Sequence, residues 1–92
     1  MVRRRVHVAG RVQGVFFRDS CERRAHAEGV TGWVANRADG RVEAVFEGDE
    51  AAVNRMVAWC RIGPSRAVVT GVDVTDEPPQ GERGFRVRDA WN

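Results

Sequence analysis

The chain has 92 residues, of which 42% are hydrophobic and 30% are charged. This length predicts a single domain over residues 1–92, and the composition excludes a disordered chain. The formal net charge is only +2, and all 15 basic residues are arginine, a balance that suits a small anionic ligand without requiring nucleic acid. No apolar run follows the basic N-terminus, so we expect no signal peptide, no membrane span and a cytoplasmic location.

The spacing of apolar residues changes from every second to every fourth position between the first strand and the first helix. Alternating valines predict a strand over residues 4–12. Gln13 and Gly14 break this alternation. Apolar residues then recur at every fourth position, which predicts a helix over residues 17–28 that ends at Gly29.

A hairpin and a second helix follow in the next third of the chain. Two short strands are predicted over residues 33–36 and 42–47, joined by a turn over residues 37–40. Asp49 is a good residue to cap the start of a helix, and apolar residues at helical spacing follow it. The helix is expected to stop before Gly63, which is followed by proline.

Two further strands complete the predicted fold. Residues 68–75 alternate with a period of two, residues 77–84 form a loop with two prolines and two glycines, and residues 85–88 form a short last strand. The element order predicts an α+β fold, the ferredoxin-like split β-α-β-β-α-β sandwich. Right-handed crossovers place two helices on one face of a mainly antiparallel sheet of four to five strands.

The junction of the first strand with the first helix is a candidate anion site. Unpaired N–H groups at a helix start attract anions, and Gly14 lets successive amides curl inward. Arg18, in the first helical turn, offers a planar guanidinium to phosphate oxygens. Many such turns only connect two elements, and this one lacks the lysine of a Walker loop and the third glycine of a dinucleotide-binding loop. On the pattern alone both interpretations stay open.

Asn36, at the end of the second strand, is the other candidate. In a split βαβ fold the first two strands are parallel with the third between them, so their C-terminal ends lie about 10 Å apart at one edge of the sheet. Side chains from both ends can therefore touch one small ligand. The commoner role of such an asparagine is to close the hairpin turn.

Three motifs occur in order at the spacing of one known family. They are Gly10 with Val12-Gln13-Gly14-Val15 and Phe17-Arg18, then Gly32-Trp33-Val34-Ala35-Asn36, then Asp39-Gly40-Arg41-Val42-Glu43. In these motifs the chain resembles the acylphosphatases, and the resemblance covers nearly its whole length. It departs near Asp89, where family members often place an aromatic residue.

The resemblance implies hydrolysis of the carboxyl-phosphate bond of acyl phosphates by direct attack of water on phosphorus. Arg18 and Asn36 would be the catalytic residues, with Asn36 orienting the water. The phosphate would be bound by Arg18 and the backbone amides of Gly14, Val15, Phe16, Phe17 and Arg18. No metal ion and no cofactor are expected. The expected partners are a small acyl phosphate and inorganic phosphate as product and inhibitor, with no nucleic acid or membrane partner, and the chain is expected to be a monomer.

Other reactive residues are interpreted as structural. Cys21 and Cys60 fit neither a metal site nor a redox motif, so we expect reduced and buried thiols. Glu43 and Glu47 indicate a solvated or ion-paired strand face. Two other functions remain as alternatives: an RNA-binding module, which uses the same topology but needs exposed aromatic residues on the central strands, and a regulatory module that binds phosphate without turnover.

Overall fold

Seven elements follow one another in the order that the hydrophobic periods predict. The computed structural model describes the backbone of residues 1–91 and the side chains of residues 1–88. The elements are β1 (Val2–Arg11), α1 (Phe17–Glu28), β2 (Thr31–Arg37), β3 (Val42–Gly48), α2 (Glu50–Cys60), β4 (Val68–Glu77) and β5 (Phe85–Trp91). Neither helix in this described part is long and apolar enough to cross a membrane.

The five strands form one sheet in the order β4-β1-β3-β2-β5. β1 and β2 both pair with β3 in antiparallel fashion, so they run parallel to each other. β5 pairs with β2 in parallel. The ends of β1 and β2, at Arg11 and Arg37, therefore lie at the same edge of the sheet, on either side of the start of β3. This confirms the predicted topology and the placement of the two candidate strand ends.

Both helices pack on one face of the sheet, as predicted. Buried side chains from α1, α2 and the strands form one apolar cluster, in which Phe46 stacks on Phe85 with 5.8 Å between ring centroids. Cys21 and Cys60 are free thiols buried in this cluster, which confirms their predicted state. Burial raises the pKa of the Cys21 thiol well above its usual range, which favours the protonated thiol.

A β-bulge interrupts the pairing of β4 with β1, although the sequence pattern of β4 is a regular alternation. Gly71 pairs with Ala9, but the next pair joins Val69 to Gly10 and leaves Thr70 as an extra residue. A Cβ atom on Gly10, whose φ is 121°, would lie 2.1 Å from the carbonyl oxygen of Val68. Only glycine fits this close approach, so the bulge explains the first glycine of the motif.

The strand ends differ from prediction by one to three residues: β1 begins two residues earlier and ends one earlier, β2 gains two residues at its start and one at its end, and β3 ends one residue later. β4 runs to Glu77, which was assigned to the following loop, and the backbone of β5 continues to Trp91 alongside β2. Asp49 takes the N-cap position of α2 as predicted, although its side chain makes no capping hydrogen bond. The family departure expected at Asp89 concerns side chains outside the described residues.

Candidate active site

The loop between β1 and α1 combines left-handed residues with a run of backbone amides that are unpaired among the described residues. Gly14 and Phe16 have φ angles of 73° and 65°, both left-handed, and α1 begins at Phe17. Left-handed residues next to right-handed ones point successive N–H groups the same way. The first helical hydrogen bond is donated by the Ser20 N–H to the Phe16 carbonyl. In the described part of the chain, the N–H groups of residues 14–18, here called the amide cup, meet no protein acceptor.

The amide cup contains a strained residue. Among the described residues, Phe16 is the only one other than glycine with a positive φ. This conformation costs a residue with a side chain about 1–2 kcal/mol. The neighbouring Phe17 is buried and packs against Trp59 with 5.0 Å between ring centroids, which anchors the start of α1. The core therefore holds the loop in a shape that Phe16 alone would not adopt.

A cavity of about 300 Å³ opens beside the amide cup. Five of the six predicted site residues line it: Gly14, Phe16, Phe17, Arg18 and Asn36. The sixth, Val15, has its side chain in the apolar core, and only its amide was predicted to contribute. The cavity also has three lining residues that the sequence did not indicate: Val12, Asp19 and Val87. Of these, Asp19 follows Arg18 directly in the first helical turn, a position from which it could have been inferred.

Arg18 and Asn36 meet in this cavity with their side chains unengaged. Neither makes a hydrogen bond or ion pair with the residues that the structure describes. The hairpin turn is closed instead by Asp39, whose carboxylate accepts the Arg41 N–H at 3.0 Å. Bonds from the Arg41 side chain and backbone hold the pKa of Asp39 below its usual range. The turn-closing role that sequence alone favours for Asn36 is therefore filled by Asp39, which leaves the Asn36 amide available.

Gln13 ties the loop to the hairpin that follows Asn36. Its side-chain amide donates to the carbonyl oxygens of Arg37 at 2.8 Å and Arg41 at 3.0 Å. These two bonds span the gap between the ends of β1 and β2 and set the loop against the end of β2. The sequence indicates no role for Gln13, because its two acceptors belong to a hairpin distant along the chain.

The glutamates of β3 stand apart from the cavity. Glu43 bonds to Arg5 and to Arg37 and lies 3.4 Å from the His7 ring. Burial alone would raise the pKa of Glu43, but the two arginines outweigh burial and lower it. The carboxylate is therefore ion-paired, one of the two predicted alternatives. The described residues include no group of three histidine, cysteine, aspartate or glutamate side chains that could hold a metal ion.

Comparison with known proteins identifies the family. The acylphosphatase family model matches residues 4–87. An acylphosphatase of Rubrobacter xylanophilus is 61% identical over 91% of this chain and 77% of its own length, and one of Roseiflexus is 57% identical over 95% of both chains. The crystal structure of acylphosphatase from Bacillus subtilis superimposes with a TM-score of 0.92 at 38% identity, covering 96% of this chain and 99% of that one. The chain belongs to the acylphosphatase family.

Proposed function

We propose that the chain hydrolyses acyl phosphates to a carboxylate and inorganic phosphate. The observation that carries this proposal is one cavity lined by the amide cup, Arg18 and Asn36, none of which bonds to a partner among the described residues. Unengaged donors at a concave site are matched to a ligand rather than to the fold. The family supplies the reaction, since its members act on the bond between a carboxyl group and a phosphate.

The amide cup and Arg18 bind the phosphate of the substrate. Several N–H groups at a helix start carry partial positive charge, and the guanidinium adds a full charge in a planar fork. These donors are fixed before the substrate arrives, so little reorganisation is needed as charge moves onto the phosphate oxygens. Gln13 keeps the cup in register with the strand end that carries Asn36.

Asn36 orients a water molecule for in-line attack on phosphorus. The water oxygen bonds to phosphorus as the bond to the acyl oxygen breaks, and the carboxylate leaves with the electron pair. The water proton passes to a phosphate oxygen or to solvent. A carboxylate is a good leaving group, so positioning and charge stabilisation suffice for the protein's part. No side chain becomes phosphorylated in this mechanism, and no metal ion takes part.

Hydrolysis of benzoyl phosphate in ¹⁸O-labelled water tests the reaction directly. We expect the label in inorganic phosphate and not in benzoate, an unchanged rate with a metal chelator, and no release of phosphate from a phosphate monoester. Label in benzoate would show attack on the carbonyl carbon and contradict the mechanism. Loss of activity with chelator would contradict the metal-free site.

The proposed partner is a small acyl phosphate, and we place the protein in the cytoplasm as a monomer. An RNA-binding role finds little support on the sheet face opposite the helices. Trp33 lies on that face but is only 8% exposed, and the guanidinium groups of Arg5 and Arg88 lie 5.5 and 4.6 Å from its ring centroid. A ring covered in this way offers no free surface for stacking a base.

A further inference from the structure

The Phe16 side chain is exposed in a place where its backbone is strained. Its side chain is 67% exposed, so little burial of the ring offsets the left-handed conformation. Glycine would take this conformation without strain. The fold therefore gains nothing evident from a phenylalanine at this position, and the ring lies where it lines the cavity.

The cavity has more room and more apolar surface than a phosphate group needs. Its volume of about 300 Å³ lies at the lower end of the range of small-molecule sites. Two of the lining residues bring apolar side chains that are not fully buried, the exposed Phe16 and the half-buried Val87. The side chains of Val12 and Phe17 belong to the core. Phosphate oxygens take hydrogen bonds and charge from the amide cup and from Arg18, so the apolar surface is left for the rest of the substrate.

We propose that Phe16 is a specificity-determining residue whose ring packs against the acyl group of the substrate. An exposed aromatic ring offers a flat apolar surface, so the site favours acyl phosphates with a planar or bulky apolar acyl group over those with a small one. This inference rests on the proposed function and names the substrate class within it. The backbone N–H of Phe16 binds the phosphate, and its ring contacts the acyl group.

The test compares benzoyl phosphate with acetyl phosphate in wild type, Phe16→Gly, Phe16→Ala and Phe16→Leu. We use the ratio of the two kcat/KM values, because a disturbance of the amide cup affects both substrates and cancels. We expect the ratio to fall about tenfold in Phe16→Gly and Phe16→Ala, through KM for benzoyl phosphate, and less in Phe16→Leu. Only Phe16→Gly removes the strain, so its thermal midpoint should rise by about 4 °C relative to Phe16→Ala.

Ile62→Ala is the matched control. Ile62 is 73% exposed and does not line the cavity, so the variant removes exposed apolar surface elsewhere and should keep the wild-type ratio. The inference is overturned if the ratio in Phe16→Gly and Phe16→Ala stays within twofold of wild type, or if Ile62→Ala lowers it equally. Failure of the proposed function looks different, since the wild type would then release phosphate from neither substrate.

Discussion

Two groups of backbone amides in this molecule differ in what occupies them. On the face away from the helices, here called the open face, a carboxylate of the chain itself fills a cradle of amides. Glu47 accepts the N–H groups of Gln80, Gly81 and Glu82 at 2.8, 2.8 and 2.9 Å, and Arg3 donates to it at 3.1 Å. At the carboxyl end of β1 the amide cup and Arg18 offer similar donors, and no carboxylate of the described residues bonds to them.

This difference separates a structural arginine from a functional one. Arg3 is 3% exposed and bonds to three carboxylates, those of Glu47, Glu77 and Glu82. Arg18 has the same chemistry and no carboxylate partner among the described residues. Burial of a charge is tolerated where partners surround it, so a saturated cradle holds the fold together. An open cradle is available to a ligand of the same charge.

The largest effects are expected from alanine substitutions at Arg3, Arg18 and Asn36. Arg3→Ala should lower the free energy of unfolding by about 3 kcal/mol, the lower end for a broken buried pair, because Glu47 keeps its three amide donors. Arg18→Ala and Asn36→Ala should change it by less than about 0.5 kcal/mol and each cut turnover of benzoyl phosphate about a hundredfold. Urea unfolding and steady-state kinetics measure the two quantities.

The distinction between a structural and a functional arginine fails if the losses of stability and of turnover do not separate between the two sites. Arg3→Lys is the control that keeps the charge on the open face, and it should recover part of the lost stability. Near-normal turnover by Arg18→Ala or Asn36→Ala would remove their assigned roles. A loss of stability in Arg18→Ala comparable to that of Arg3→Ala would mean that Arg18 also has a structural role.

We expect a smaller effect of pH on stability, and it tests the structural role of the carboxylates on the open face. Burial would raise the pKa of Glu47, but its amide and Arg3 bonds outweigh burial and lower it, and Arg5 and Arg3 lower the pKa of Glu77. A carboxyl whose pKa is lower in the folded state stabilises the fold above its unfolded value, and loses this contribution as pH falls through its folded value. Stability should therefore be flat above about pH 6 and decline below about pH 4.5.

Urea unfolding across this pH range, on wild type and Glu47→Gln, checks the linkage. Glu47→Gln should be less stable at neutral pH and show a shallower decline below pH 4.5, because one of the titrating groups is gone. An identical slope in the two proteins would show that Glu47 contributes nothing to acid unfolding.

The sequence predicts the fold well because local patterns agree with it throughout. The hydrophobic periods locate both helices and all five strands, and Gly14 with Arg18 marks the helix start as an anion site. The pairing of charged groups is different, because it depends on contacts distant along the chain. Glu47 meets the loop of residues 80–82 only once β3 is central in the sheet. Thus the sequence marks Arg18 by its place at a helix start, but it does not show that Arg3 is engaged by carboxylates or that Arg18 is not.

Local patterns also fail where the backbone departs from regular geometry. The bulge at Thr70 and the left-handed Phe16 have no signature in hydrophobic periodicity, since both depend on how neighbouring elements hold the chain. The same holds for Gln13, whose two acceptors belong to a hairpin more than 20 residues away. These features give the cavity its shape, so the site residues are easier to predict than the geometry that joins them.

Titration of the protein with inorganic phosphate, followed by amide NMR shifts, tests the central claim most directly. We predict that the shifts concentrate in the backbone amides of residues 14–18 and the side-chain amide of Asn36, and that Arg18→Ala abolishes them. The amides of residues 80–82 should not respond, because Glu47 already occupies them. Shifts centred on the open face, or an unchanged response in Arg18→Ala, would contradict the account.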